Sequence, residues 1–231
     1  MEEAILEEGK KFLVSYLRGR TINYETIHPW RNSWEFVVLH SLRVEGYVKK
    51  LLNIESHQLS YEEVLLTRLA AILHDIGRIH IRENHATLGR NIVEQWLGEH
   101  KHIANEVQKV DRLLYLIEKH SDKEAEDDDY CLKILQDADI LDEIGAMSIF
   151  MTSNWIDKNN PYFFRLLSNR IEGFEVNFCN EGFKLLKTES AKKIMDEKKK
   201  FITDFSNGLK EELYGTEIFG QGTIEEYFGH H

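Results

Sequence analysis

Proline is nearly absent from this chain. Only Pro29 and Pro161 occur in 231 residues, and proline is the residue that most strongly breaks a helix, by removing an amide donor and crowding the preceding turn. Between these two positions, apolar residues recur at three- and four-residue steps over long stretches, the period of a helix buried along one face. The pattern predicts an all-α protein. We read it as one domain over 1–231, with a core at about 30–160 and a C-terminal helical extension at about 161–228.

The segments follow from that period. Ile5, Phe12, Leu13, Tyr16 and Leu17 share a face that stops near Gly19. Trp34 to Leu52 reads as a second helix. Ser60, with Glu63 three residues on, forms a capping box, and the helix it opens runs through Leu65, Leu69, Ile72 and Leu73 to Gly77, a natural stop. Asn84 is expected to cap a helix through Ile92 and Leu97. Ile103, Val107, Val110, Leu114 and Ile117 predict one long helix ending near His120. The acidic run Glu124 to Asp129 reads as a solvated loop. Shorter helices are expected around Cys131 to Leu135 and Asp142 to Ile156. The pattern weakens after Asn159-Asn160-Pro161 and resumes as a charged helix from about Ser190 to Leu213, which could pack as a lid or as a dimer surface and leaves a homodimer open.

Composition narrows the function classes. An apolar fraction of 42% is too high for disorder. Against 40 acidic side chains stand 29 basic ones, a net charge of −11. Such a chain is not built to hold duplex nucleic acid through its overall field, although a local basic pocket for one small phosphate compound is compatible with it. No stretch approaches the roughly 20 apolar residues of a membrane span. Met1-Glu2-Glu3 lacks the basic and apolar pattern of a signal peptide, so the cytoplasm is the expected location. Cys131 and Cys179 stand far apart, in no ligand spacing, and read as idle thiols of a reducing compartment. The terminal His230 and His231 are set aside from site reasoning.

The remaining histidines carry the chemistry. Val37, His40, Val44, Val48 and Leu51 form one stripe, so His40 lies on an inward face. A lone histidine there is more often a satisfied core residue than a ligand. His74-Asp75 ends the apolar string Ala70-Ala71-Ile72-Leu73, where a carboxylate is costly unless it is paired or meets a cation. Alone, the dipeptide is weak evidence, since a histidine at a helix end also suits the helix dipole. His120 continues the face of Leu113 and Ile117. Asp139 sits in Gln136-Asp137-Ala138-Asp139-Ile140-Leu141-Asp142, where one of the acids could be an N-cap. His85 could equally be a surface histidine. Taken jointly, His40, His74-Asp75 and Asp139 lie 34 and 64 residues apart on separate helices, as in metal sites built inside helical bundles.

The ordered set His40-Ser41-Leu42-Arg43-Val44, His74-Asp75-Ile76-Gly77 and Asp137-Ala138-Asp139-Ile140-Leu141-Asp142 closely resembles the HD-domain metal-dependent phosphohydrolases, over roughly residues 30–160. The resemblance implies an all-α helical bundle and a metal held by His40, His74, Asp75 and Asp139. Some members carry two further histidines that complete a two-metal site. His85 and His120 stand in that order here, to hold a second metal or substrate phosphate. The stretch Lys187 to Phe205, with Thr188-Glu189-Ser190-Ala191-Lys192, is similar to the C-terminal helix of a bacterial subgroup that includes enzymes splitting nucleoside triphosphates into monophosphate and pyrophosphate.

The implied activity is hydrolysis of a phosphoester or phosphoanhydride in a small phosphorylated substrate, a nucleotide first. A ligand set of nitrogen and oxygen suits one or two ions of Mn, Fe, Co, Ni, Zn or Mg. Asp75 would bridge two cations or orient the attacking water. Arg78 is the first candidate for a phosphate clamp, since a guanidinium binds phosphate in a fork; Arg43, Lys119 and Arg31 follow. Trp30 and Trp34 could stack a base, although core or rim packing is their commoner role. Two other readings stay open: a di-iron oxygenase using the same histidines, and a non-catalytic nucleotide-binding regulatory module.

Overall fold

The computed structural model describes residues 2–22, 24, 29–55 and 59–214. The end of the expected C-terminal extension, 215–228, lies outside them, as do His230, His231 and the side chain of Trp30. The described residues form helices and contain no strand. They gather into two compact units, Met1–Asp142 with Leu185–Ala191, and Glu143–Lys184 with Lys192–His231.

The first unit is built around its most apolar helix. It contains α1 (Glu2–Leu17), α2 (Trp34–Ile54), α3 (Tyr61–Leu73), α4 (His85–Glu99), α5 (Lys101–Val107), α6 (Val110–Lys119) and α7 (Tyr130–Leu141). Helix α3 opens on the expected capping box: Ser60 Oγ accepts from the Glu63 amide while the Glu63 carboxylate accepts from the Ser60 amide. Every residue from Leu65 to Leu73 is buried. A helix apolar all round belongs at the centre, and α1, α2, α6 and α7 pack around it. Helix α2 turns the stripe Val37, Val44, Val48 and Leu51 inward. Arg68, the cation inside this core, is held by Glu45, Glu2 and Glu3 at 2.7–2.8 Å, which offsets the cost of burying it. Phe12 of α1 stacks on Trp96 of α4, ring centroids 4.5 Å apart.

Four local expectations change. Helix α3 ends at Leu73, ahead of Gly77, and residues 76–79 form a 3₁₀ turn. Gly77 does not serve as a left-handed stop; its missing Cβ leaves room for the first turns of α4, where a Cβ would lie 2.2 Å from the His85 carbonyl oxygen and 2.7 Å from the Gly89 nitrogen. Asn84 precedes α4 in the left-handed region at φ 58° but makes no side-chain cap. The single helix expected to end near His120 is two, α5 and α6, broken where Gln108 takes φ 55°. The acidic run also does more than meet solvent, since its last member, Asp129, caps α7 by accepting from the amides of Cys131 and Leu132.

The second unit holds α8 (Ala146–Thr152), α9 (Phe163–Arg170), α10 (Val176–Leu185) and most of α11 (Glu189–Tyr214), with a π-helical turn over Ile171–Glu175 joining α9 to α10. Sequence periodicity misses α9 and α10 because several of their large apolar side chains, among them Phe164, Leu166 and Phe178, are exposed. Cys131 and Cys179 are both free thiols and both buried. No helix of the described residues is long and apolar enough to cross a membrane.

Candidate metal centre

Five separate segments of the first unit deliver imidazole and carboxylate groups to one place. His40 comes from the second turn of α2. His74 and Asp75 follow the last residue of α3, so the buried axis of the unit ends in this pair; they are 0% and 2% exposed. His85 is the first residue of α4. His120 follows α6 and is 1% exposed. Asp139 lies in the last turn of α7, and Asp142 is the C-cap of that helix.

These groups form overlapping triads: His40 with His74 and Asp75, His74 with His120 and Asp139, and Asp75 with His85 and His120. In each, one ligand atom per residue lies within 4.8 Å of the others. His40 Nε2 is 3.4 Å from Asp75 Oδ2 and 3.3 Å from Asp139 Oδ1. The other oxygen of Asp75, Oδ1, faces His85 Nε2 at 3.2 Å and His120 Nε2 at 3.6 Å. Asp75 therefore presents one oxygen to each half of the cluster.

The hydrogen bonds at the far side of each ring settle which nitrogen carries the proton. The Nδ1 atoms of His74, His85 and His120 meet the carbonyl oxygens of Ala71, Arg82 and Ile117 at 2.7–2.8 Å. A carbonyl only accepts, so each Nδ1 donates, and a neutral ring then turns an Nε2 lone pair to the centre. His40 follows the same rule, its Nδ1 donating to Asp142 Oδ2 at 2.8 Å. Where both rings of a facing pair are neutral, lone pairs face one another: His40 Nε2 is 3.2 Å from His74 Nε2, and His85 Nε2 is 3.4 Å from His120 Nε2. Asp75 Oδ1 is buried with no hydrogen bond. Acceptors converging on acceptors, with an orphaned carboxylate oxygen among them, call for a positive charge. Nitrogen and oxygen donors without sulfur fit a divalent first-row cation or magnesium. HD domains bind divalent metals, and these clusters could hold one.

Protonation follows the same geometry. Burial pulls the His40 imidazole down, but its bonds to Asp139 and Asp142 and the charge of Asp75 prevail and push it up to about 10. Burial dominates at His74 and takes it down to about 3 despite Asp75. Burial would raise Asp75 and Asp139, yet Arg78 with the histidines in one case, and Lys123 with the histidines in the other, hold both carboxyls well below the usual range. The carboxylates are thus charged, and a proton on His40 occupies the nitrogen that a cation would use.

The expected basic residues divide. Arg78, partly exposed, meets Asp75 Oδ2 at 3.4 Å. Arg43 lies beside the cluster but is engaged in a fork on Asp142, Nε to Oδ1 at 2.8 Å and Nη2 to Oδ2 at 2.9 Å. Lys119 is exposed and meets this region through its carbonyl oxygen, which accepts from Gln136 Nε2. Arg31 lies over the Phe36 ring. The lysine that reaches the cluster is Lys123, with Nζ 2.5 Å from Asp139 Oδ2.

Sequence reasoning gave Lys123 no role, and gave Asp142 a place in the motif and at a helix start but none at the site. The signals were an acid three residues past Asp139, on the same side of the chain turn, and a cation three residues past His120. Asp137 proves to be structural: its carboxylate accepts from the amides of Lys187 and Thr188 and from the Thr188 hydroxyl.

The chain resembles known proteins in a family model and in fold. The HD domain family model matches residues 37–144. No curated protein matches the chain. Among solved structures, the Lin1889 protein of Listeria innocua is 21% identical, with TM-score 0.55, over 95% of this chain and 99% of that one. Bacillus subtilis YpgQ, crystallised in complex with ADP, is 16% identical, with TM-score 0.56, over 91% and 96%. A predicted HD superfamily hydrolase from an uncultured Thermotogales bacterium is 20% identical, with TM-score 0.58, over 90% and 92%. At these identities the likeness is one of fold.

Proposed function

We propose that this chain, whose residues 37–144 match the HD domain family model, is a metal-dependent phosphohydrolase acting on a nucleotide or a similar small phosphate compound. One observation carries the reading. Four imidazole Nε2 atoms and the carboxylates of Asp75 and Asp139 point inward at one buried place. In this reading His40, His74, Asp75 and Asp139 hold one cation, and Asp75, His85 and His120 hold a second. The support for a shared Asp75 is that its two oxygens face the two halves.

A divalent cation held there would supply polarisation of a phosphoryl oxygen and would lower the pKa of water toward ~7. The protein's own groups do the remaining work. Asp142 and the three backbone carbonyls fix the tautomer and aim of each imidazole, so the donor set needs no reorganisation. Asp75 and Asp139, ionised and nearly closed to solvent, keep the site negative enough to hold metal. Arg78, one turn past the dyad and partly exposed, is placed to take a phosphate oxygen with its forked donors. The ADP complex of the Bacillus subtilis neighbour supports a nucleotide as the first compound to try.

The test is a panel of nucleotides and phosphomonoesters with each divalent metal, with phosphate and pyrophosphate detected separately. The expected result is metal-dependent release of one of the two, abolished in His74→Ala and Asp75→Ala while far-UV circular dichroism is retained. Turnover undiminished in either variant contradicts the site. Iron-dependent dioxygen uptake without phosphate release would favour an oxygenase, and metal binding with no turnover on any compound a regulatory module.

A further inference from the structure

The three carboxylates at the cluster are each met by one cationic side chain, and the three contacts differ in kind. Arg43 grips both oxygens of Asp142. Arg78 touches Asp75 at 3.4 Å. Lys123 meets Asp139 through one atom pair, Nζ to Oδ2 at 2.5 Å, while Asp139 Oδ1 faces His40 and His74 on the other side. The Lys123 side chain is 25% exposed and that of Asp139 12%, so the pair is partly open to solvent.

Resting on the phosphohydrolase reading, we propose that Lys123 is a substrate-phosphate ligand stored on Asp139, released toward the phosphate when Asp139 takes up a cation. The reason is competition for one carboxylate. A divalent cation draws charge from both oxygens of Asp139 and weakens the attraction that holds the ammonium at Oδ2. Lysine is suited to such a transfer, being a compact charge on a flexible four-carbon stem that makes single contacts. Arg43 is not, since leaving Asp142 would break two charge-assisted bonds together. Cation and phosphate binding are therefore linked: each favours the other, because the cation frees the ammonium and the phosphate removes the cation's competitor. The linkage is reciprocal, with an expected size within the usual 5–150-fold. In a chain of net charge −11, this also confines attraction for phosphate to molecules already carrying metal.

The alternative role is that Lys123 merely holds Asp139 in place, and the two roles predict opposite effects on metal affinity. Mn²⁺ alone is titrated calorimetrically into the wild-type protein and into Lys123→Met, which keeps the stem and removes the charge. Inorganic phosphate is then titrated with and without Mn²⁺. The expected result is that Lys123→Met binds Mn²⁺ as tightly as wild type or tighter. Wild type gains about tenfold in phosphate affinity on adding Mn²⁺, and in the variant that gain shrinks to what the cation alone supplies. Lys123→Arg, which restores a charge at the same place, should recover part of it. Mn²⁺ binding tenfold weaker in Lys123→Met, or a Mn²⁺-induced gain in phosphate affinity as large as in wild type, overturns the proposal and leaves the phosphohydrolase reading standing. A wild-type protein that binds no Mn²⁺ overturns both.

Discussion

Gly77 should tolerate no side chain, and its replacement should damage stability and the site together. A Cβ built on it lies 2.2 Å from the His85 carbonyl oxygen, 2.7 Å from the Gly89 nitrogen and 3.2 Å from Gly89 Cα, all backbone atoms of α4. Ordinary contact begins near 3.4 Å, so α4 must back away by about 1.2 Å, the difference between 3.4 and 2.2 Å. No side chain can rotate to absorb this. Overpacking of this kind costs about 1–3 kcal/mol, which in a chain of this size lowers Tm by roughly 2–12 °C. The same displacement carries His85, whose Nε2 is 3.2 Å from Asp75 Oδ1, out of contact range. Gly46→Ala is the control: nothing lies within 4 Å of its Cβ, and alanine is favoured inside α2 by about 0.8–1.0 kcal/mol. Thermal unfolding followed at 222 nm, with calorimetric Mn²⁺ stoichiometry, reads both effects. Gly77→Ala should melt lower and lose bound metal, and Gly46→Ala should melt slightly higher. A Gly77→Ala protein with wild-type Tm and metal content would refute the close approach of α4 that the reasoning depends on.

Other perturbations have equally defined outcomes. Asp142→Asn removes the carboxylate that orients His40 and holds Arg43, and should weaken Mn²⁺ binding about 10–100-fold by calorimetry with the helical content kept. Ser60→Ala breaks the capping box of α3 and should cost about 1 kcal/mol in urea denaturation. The amide of Ser60, then its hydroxyl and Arg112, hold the Glu63 carboxyl down to about 2 against an ordinary 4.5. A folded-state value depressed in this way stabilises the protein above pH 4.5, and that stability is lost as pH falls toward 2. Glu63→Gln should accordingly flatten the fall of the urea midpoint over that window; an unchanged slope would show that Glu63 is not its source.

The helical fold was legible because its signals are local: the capping box at Ser60 and Glu63, the apolar run through Leu65–Leu73, and the stripe that places His40 on the inner face of α2. Details that depend on packing partners were not legible. Gly77 resembles a helix stop in sequence, and only the approach of α4 shows that it is a spacer. The break at Gln108 lies within an unbroken apolar period, because a left-handed residue between two helices leaves the spacing of Val107 and Val110 undisturbed. Helices α9 and α10 escaped because exposed phenylalanines blur their inner face. At the site, the histidines and aspartates announced themselves by residue type and order. The partners did not: Arg43 could be read as a phosphate ligand until its fork on Asp142 was seen, and the cation that meets Asp139 is Lys123, on a loop whose path periodicity does not describe.

The central claim is tested most directly by anomalous X-ray scattering from crystals grown with Mn²⁺. The account predicts a peak bounded by His40 Nε2, His74 Nε2, Asp75 and Asp139, and a second on the side of His85 and His120. Crystals of a protein that hydrolyses phosphate compounds in the presence of Mn²⁺, yet show no anomalous peak among these side chains, would contradict it.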